Sequence, residues 1–219
     1  MTLKILYEDN HIIAVYKPAG ILAQGDEIGE ESIFDLVKKH IKEKYKKQGN
    51  VFLGLVHRLD RPVSGIMIFG KTSKGASRLS EQFRNHEVEK TYHAIVLGKM
   101  ERKKGLIISH LKKDKNKNKA FIHKSAGAGT KESELSYEVV ESNDKLSLLK
   151  IKPLTGRSHQ IRAQLSSIGH PIVGDIKYGA PESLSDNSIM LGATGLVFRK
   201  ATGDELLKIE IPKELGFRL

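Results

Sequence analysis

The 219-residue chain contains no cysteine. That excludes disulfides and any zinc site built on thiolates. Tryptophan is also absent, and aromatic residues make up only 6% of the chain, which argues against a sheet that reads RNA by stacking successive bases. No apolar run approaches the ~20 residues that a membrane-spanning helix requires. The opening residues, Met1 to Asp9, read as a strand entering a turn, with no basic segment leading into a long apolar stretch, so no signal peptide is expected. Neither a Gly-x-Ser-x-Gly nucleophile elbow nor a His-x-x-x-His pair occurs, and metal-ligand spacing is missing altogether, so no metal is expected.

Positive charge is abundant. Lysine and arginine number 37 against 26 acidic residues, a net charge of +11. Such a balance favours an anionic partner, and nucleic acid is the commonest. The excess is concentrated between residues 99 and 124, where ten Lys or Arg face only Glu101 and Asp114. This segment reads as two strands, 105–109 and 119–123, joined by a lysine-rich loop. The loop is either a solvated tip or a clamp for a phosphate backbone through Lys112, Lys113 and Lys115. With no targeting or spanning segment, a cytoplasmic enzyme or RNA-binding protein is expected.

The hydrophobic pattern predicts strands over Leu3–Tyr7 and Ile12–Tyr16, the second broken by Lys17-Pro18-Ala19-Gly20. A helix then starts at Ser32. There Asp35 completes a capping box, and Ile33, Leu36, Val37 and Ile41 share one face. The apolar runs Val51–Val56 and Ile66–Phe69 read as buried strands. Ser73 caps a second helix with Ala76, Leu79 and Phe83 on its stripe. Strands are predicted at Thr91–Leu97, around Leu135–Val139 and over Leu146–Ile151. A third helix follows from about His159 to Ile168, with Ser158 as its N-cap. Ile189–Leu191, Leu196–Phe198 and Leu206–Ile211 supply closing strands. Strands come in adjacent pairs more often than they alternate with helices. The expectation is therefore an α+β fold with a mixed, mostly antiparallel central sheet. Neither a linker nor a repeat divides the chain, so residues 1–219 are expected to form a single domain.

Two segments carry chemistry. The first is His57-Arg58-Leu59-Asp60-Arg61-Pro62-Val63-Ser64-Gly65, a polar turn wedged between apolar runs, whose charges must be paired or used. The second is Leu154-Thr155-Gly156-Arg157-Ser158-His159-Gln160-Ile161-Arg162. Arg162 lies beside the apolar stripe of its helix, and a half-buried arginine needs an acidic partner. Residues 156–168 offer none, so the partner comes from elsewhere in the fold, and Asp60 is a suitable group. Read without other context, Asp60 is a turn carboxylate paired with Arg58 or Arg61, and Tyr92 an ordinary strand tyrosine.

Together, in this order and at this separation, the two segments resemble the signature motifs of the RluA-type RNA pseudouridine synthases. The resemblance covers roughly residues 3 to 212. It implies a mixed sheet flanked by helices and crossed by an active-site cleft, in a catalytic domain expected to lack the N-terminal S4-type RNA-binding module of many relatives. It implies that Asp60 is the catalytic nucleophile, that Arg162 salt-bridges it, and that Tyr92, within Lys90-Thr91-Tyr92-His93-Ala94, stacks on the target base. Arg58 would fill the space left by the extruded base, and Leu191 would pack beneath it. His57 and His159 would hold their loops by hydrogen bonds. The reaction so implied turns uridine into pseudouridine within structured ribosomal or transfer RNA. It involves no redox change, so no cofactor is expected, and a monomer suffices. Two rivals are a non-catalytic RNA-binding protein on the same scaffold and a hydrolase pairing Asp60 with a histidine.

Overall fold

The computed structural model describes residues 2–25, 29–123 and 125–219. Lys124, the last residue of the basic segment, lies outside the described residues. In chain order the elements are β1 (Lys4–Glu8), β2 (Ile12–Lys17), α1 (Ile33–Lys44), β3 (Gly54–Leu55), β4 (Ser64–Gly70), α2 (Ser73–Arg84), β5 (Glu89–Leu97), β6 (Lys104–Asp114), β7 (Lys119–His123), β8 (Lys131–Ser142), β9 (Leu146–Pro153), α3 (Gln160–Ser167), β10 (Leu191–Arg199) and β11 (Leu206–Glu210). Short 3-10 turns sit at Ile176–Tyr178 and Lys213–Leu215. The fold is α+β and mostly antiparallel. The chain divides into two compact units, one of Met1–Glu89 with Ala193–Leu215, the other of Lys90–Gly192 with Gly216–Leu219.

In the first unit the strand order is β1-β2-β4-β10, with β11 on β10 and β3 on β4. Ile12, Ile13, Ala14 and Val15 are all fully buried, as are Ile66, Met67, Ile68 and Phe69. Strands apolar at consecutive positions must be covered on both faces. The two helices do this. Phe34 of α1 meets Phe69 edge-on, ring centroids 6.1 Å apart. Leu79 and Phe83 of α2 join the cluster of Ile12, Ala14, Ile66, Ile68 and Phe198 on the opposite face. Each such side chain fully buried contributes roughly 1.5–3 kcal/mol.

The capping box of α1 forms as expected between Ser32 and Asp35. At α2 the cap is Thr72 rather than Ser73: the Thr72 hydroxyl accepts from Gly75 N–H at 3.1 Å. The run Val51–Val56 forms a strand only at Gly54–Leu55, paired to Phe69 and Gly70. β2 already occupies one edge of β4, and β10 lies on the other, so β3 finds a partner only at the far end. Glu8, at the end of β1, braces this unit. Its carboxylate accepts from Lys71 at 2.6 Å, Lys44 at 2.7 Å and the Tyr45 hydroxyl at 2.8 Å, with His40 at 3.2 Å. Burial by itself would raise its pKa; these partners outweigh it and hold it down at about 2.

In the second unit the order is β5-β9-β8-β6-β7. The basic segment forms the expected pair of strands, with β7 over Lys119–His123, but the loop between them is shorter than expected. β6 runs through to Asp114, so Lys112 and Lys113 stand in a ladder opposite Phe121 and Ala120. Only residues 115–118 turn. There Asp114 accepts from Lys117 N–H at 3.0 Å, and Asn118 takes a positive φ of 43°. Local turn chemistry and the inward-facing Leu111, Ala120 and Ile122 override the charge repulsion expected along the run. The N-cap of α3 is His159, not Ser158, with a left-handed φ of 56° and no side-chain cap. The expected strand at Ile189–Leu191 also begins later, since β10 starts at Leu191.

Candidate active site

The loop between β3 and β4 carries Asp60. It is held from both ends by buried apolar residues, Leu59 at 6% exposure and Val63 at 3%. Asp60 itself is half-buried, and its carbonyl closes a turn by accepting from Val63 N–H at 3.0 Å. The carbonyl of Arg61 accepts from Gly20 N–H at 2.8 Å and from Lys17 Nζ at 3.2 Å. Lys17 also donates to the carbonyls of Pro18 at 2.9 Å and Ile21 at 2.8 Å. It is completely buried, and desolvation lowers its pKa to about 8, opposed by the nearby Asp60 charge. Its segment is thus more than a strand breaker. The signal that marks it is a lysine closing a fully apolar strand, where its ammonium must find carbonyls.

The Arg61 guanidinium binds the Gly20 carbonyl at 2.9 Å and Glu30 at 2.8 Å, which fastens the Asp60 loop a second time to the segment after β2. Arg58 is exposed. His57 lies stacked on Phe83, 4.7 Å between centroids, and its Nε2 accepts from Ile68 N–H at 3.0 Å. That bond requires an unprotonated Nε2 and ties the loop to β4. Gly65 follows with φ 125°, and a Cβ there would collide with the backbone of Ala193. The motif therefore ends in Ser-Gly because only glycine permits this approach of backbone to backbone.

The second motif lies in the other unit and is organised by Gln160. Its side-chain oxygen accepts from the Thr155 hydroxyl at 2.8 Å and Arg157 N–H at 3.0 Å, while its amide donates to the Glu134 carbonyl at 3.0 Å. Arg162, on α3, is 5% exposed. Its Nε and Nη2 donate to the two oxygens of Asp175 at 2.7 and 2.8 Å. An acidic partner from outside residues 156–168 is thus present: Asp175 follows 13 residues after Arg162, beyond the end of α3. Tyr92 is half-buried on β5, opposite Ile151 of β9. Burial depresses the pKa of Lys90, and burial followed by Lys150 depresses that of His93. Leu191 is 3% exposed at the start of β10. Lys112, Lys113 and Lys115 project from the β6–β7 hairpin, all exposed. Asp60, Arg58 and His57 thus belong to the first unit, and Tyr92, Arg162, Leu191 and the three lysines to the second.

Residues 11–167 match the family model described as RNA pseudouridylate synthase. The chain belongs to the RluA-type RNA pseudouridine synthases. The family's members are isomerases acting on RNA. Among similar proteins is the "Uncharacterized RNA pseudouridine synthase YhcT" of Bacillus subtilis, 34% identical over 96% of this chain and 68% of its own length. The "Dual-specificity RNA pseudouridine synthase RluA" of Escherichia coli is 37% identical over 83% of this chain and 79% of its own. In fold, the human "RNA Pseudouridylate Synthase Domain Containing 4" matches with a TM-score of 0.80 at 24% identity, covering 96% of this chain and 89% of that one. Among the described residues no helix is long and apolar enough to cross a membrane, and no cluster of three His, Cys, Asp or Glu could hold a metal ion.

Proposed function

We propose that this synthase converts uridine to pseudouridine in structured RNA, ribosomal or transfer, with Asp60 as nucleophile. The observation that supports the reading is Asp60 itself: a half-buried carboxylate on a loop fixed at Leu59, Arg61 and Val63, within the matched residues 11–167. A rigidly held carboxylate serves covalent catalysis. The N1–C1′ bond breaks, the uracil turns, and C5 bonds to C1′. The C5 hydrogen leaves as a proton and N1 gains one, so atoms and electrons balance without a cofactor. A carboxylate can assist by attacking C1′, by attacking C6, or by promoting elimination at the sugar.

The target base must leave its stack to be reached. In this reading Arg58 fills the vacated space, Tyr92 stacks on the base, Leu191 packs beneath it, and Arg162 aims Asp60. His57 holds the loop, and Lys112, Lys113 and Lys115 contact phosphates. Residues 1–219 then work as one catalytic domain, a cytoplasmic monomer with RNA as partner. The test uses RNA transcribed in vitro with uridine tritiated at C5. Release of tritium to water, with pseudouridine mapped at discrete positions, is the expected result. RNA binding without tritium release would instead identify a non-catalytic RNA-binding protein.

A further inference from the structure

The second unit surrounds Arg162 more completely than a salt bridge alone requires. Asp175, 1% exposed, takes Nε–H and one Nη2–H side by side. This fork fixes the guanidinium plane as well as its charge and leaves the remaining Nη hydrogens aimed away from Asp175. The centroid of the Tyr178 ring lies 5.0 Å from the guanidinium carbon, and the Lys119 ammonium sits 5.0 Å from the same centroid.

Tyr178 is itself anchored on several sides. Its hydroxyl accepts from Ala120 N–H on β7 at 2.8 Å and meets His159 Nδ1 at 2.9 Å. Its carbonyl accepts from the Ser166 hydroxyl at 2.6 Å, and its N–H donates to the Asp175 carbonyl at 2.9 Å. The turn from Asp175 to Tyr178 therefore grips α3 at 159, 162 and 166, positions that share one helical face. Through Ala120 it also grips the basic hairpin. A buried ion pair is a poor source of stability compared with apolar packing. One held by so many further bonds is better explained by what the arginine must do.

We propose that Asp175 and Tyr178 are positioning residues for Arg162: they set the plane and height of its guanidinium for the reaction and tie that setting to strand β7 of the basic hairpin. The proposal rests on the pseudouridine synthase reading of Arg162. Neither residue touches the uridine.

The test compares the intact chain with Asp175→Asn and Tyr178→Phe on RNA transcripts tritiated at uridine C5. Single-turnover rate, RNA affinity and the hydrogen exchange of the Arg162 Nε–H by NMR are measured. Asp175→Asn should slow the single-turnover rate on the order of 10- to 100-fold, the scale expected of a misplaced group. RNA affinity should hold, and the Nε–H, protected in the wild type, should exchange rapidly. Tyr178→Phe keeps the ring but removes both hydroxyl bonds, so a smaller fall in rate with unchanged affinity is expected. A purely structural pair would lower the melting temperature and leave the rate of the folded variants intact, and that result overturns the proposal. Should Asp175→Asn fail to fold, Tyr178→Phe decides, and an unaltered rate there overturns it equally. If the wild type releases no tritium, the pseudouridine reading fails instead. The clamp is then judged on exchange alone: rapid Nε–H exchange in the wild type refutes it, and protection that disappears in both variants supports it.

Discussion

At the residue scale, Asp60 carries the sharpest prediction. Asp60→Asn keeps the shape of the side chain and removes its nucleophilicity. The purified variant should release no tritium above background while binding RNA almost as before, and measurable turnover would remove Asp60 from its role. Arg162→Met has two expected effects. It should lower the rate by orders of magnitude, and it should also destabilise the protein, because Asp175 at 1% exposure would be left without its counter-charge. Breaking such a buried pair costs about 3–5 kcal/mol, readable as a shifted urea midpoint. Asp60 was legible as a candidate only through its motif's resemblance to the family, since by itself a carboxylate between arginines reads as a paired turn carboxylate. Asp175 was not. It lies beyond the glycine and proline that stop α3, so periodicity gives no reason to bring it back to Arg162. Lys17 escaped for another reason: a lysine at a strand end looks solvated until the loop carbonyls around it are known.

Among elements, the β6–β7 hairpin shows where sequence reading loses force. A run of lysines reads as loop because like charges repel, yet strand pairing needs only alternate faces and a workable turn. Asp114 and Asn118 supply that turn. Lys112 and Lys113 are thereby held at fixed spacing along a ladder, while Lys115 and Lys117 lie in the turn. Changing Lys112, Lys113, Lys115 and Lys117 together to Gln should weaken RNA binding, with the log–log salt slope reduced by about 0.7 to 0.9 for each phosphate no longer neutralised. The maximal rate at saturating RNA should change little, since such interactions are equal in ground and transition states. An unaltered salt slope would assign the hairpin to solvent. Helix existence was easier to read than helix starts. α1, α2 and α3 all stand where the apolar stripes put them, but two of three caps moved by one residue. Thr72 and Ser73 are chemically near-equal caps, and at α3 the His159 ring turns to Tyr178 instead of capping.

For the whole molecule, acid stability is a testable property. Glu8 has a folded pKa of about 2 against an ordinary value of 4.5. A depressed carboxylate contributes stability fully above its unfolded pKa and loses it as pH falls through the folded value. The brace should therefore weaken between about pH 4.5 and pH 2. The melting temperatures of wild type and Glu8→Gln should differ most near neutrality and converge across that window; a constant gap would show that Glu8 titrates normally. The α+β class was legible from paired strand patterns. The division into two units was not, because its boundaries fall at the start of β5 and within β10, where no change of composition marks them.

That division bears on biosynthesis. The first unit is discontinuous: β10 and β11 join strands made more than a hundred residues earlier. As the chain leaves the ribosome, the β4 edge that β10 will cover stays unpaired while the whole of Lys90–Gly192 is being translated. Exposed strand edges invite association with other chains. The interval before β10 emerges is therefore the stage at which this protein most needs a chaperone. Stalled products ending before Ala193 should aggregate far more readily than the full chain.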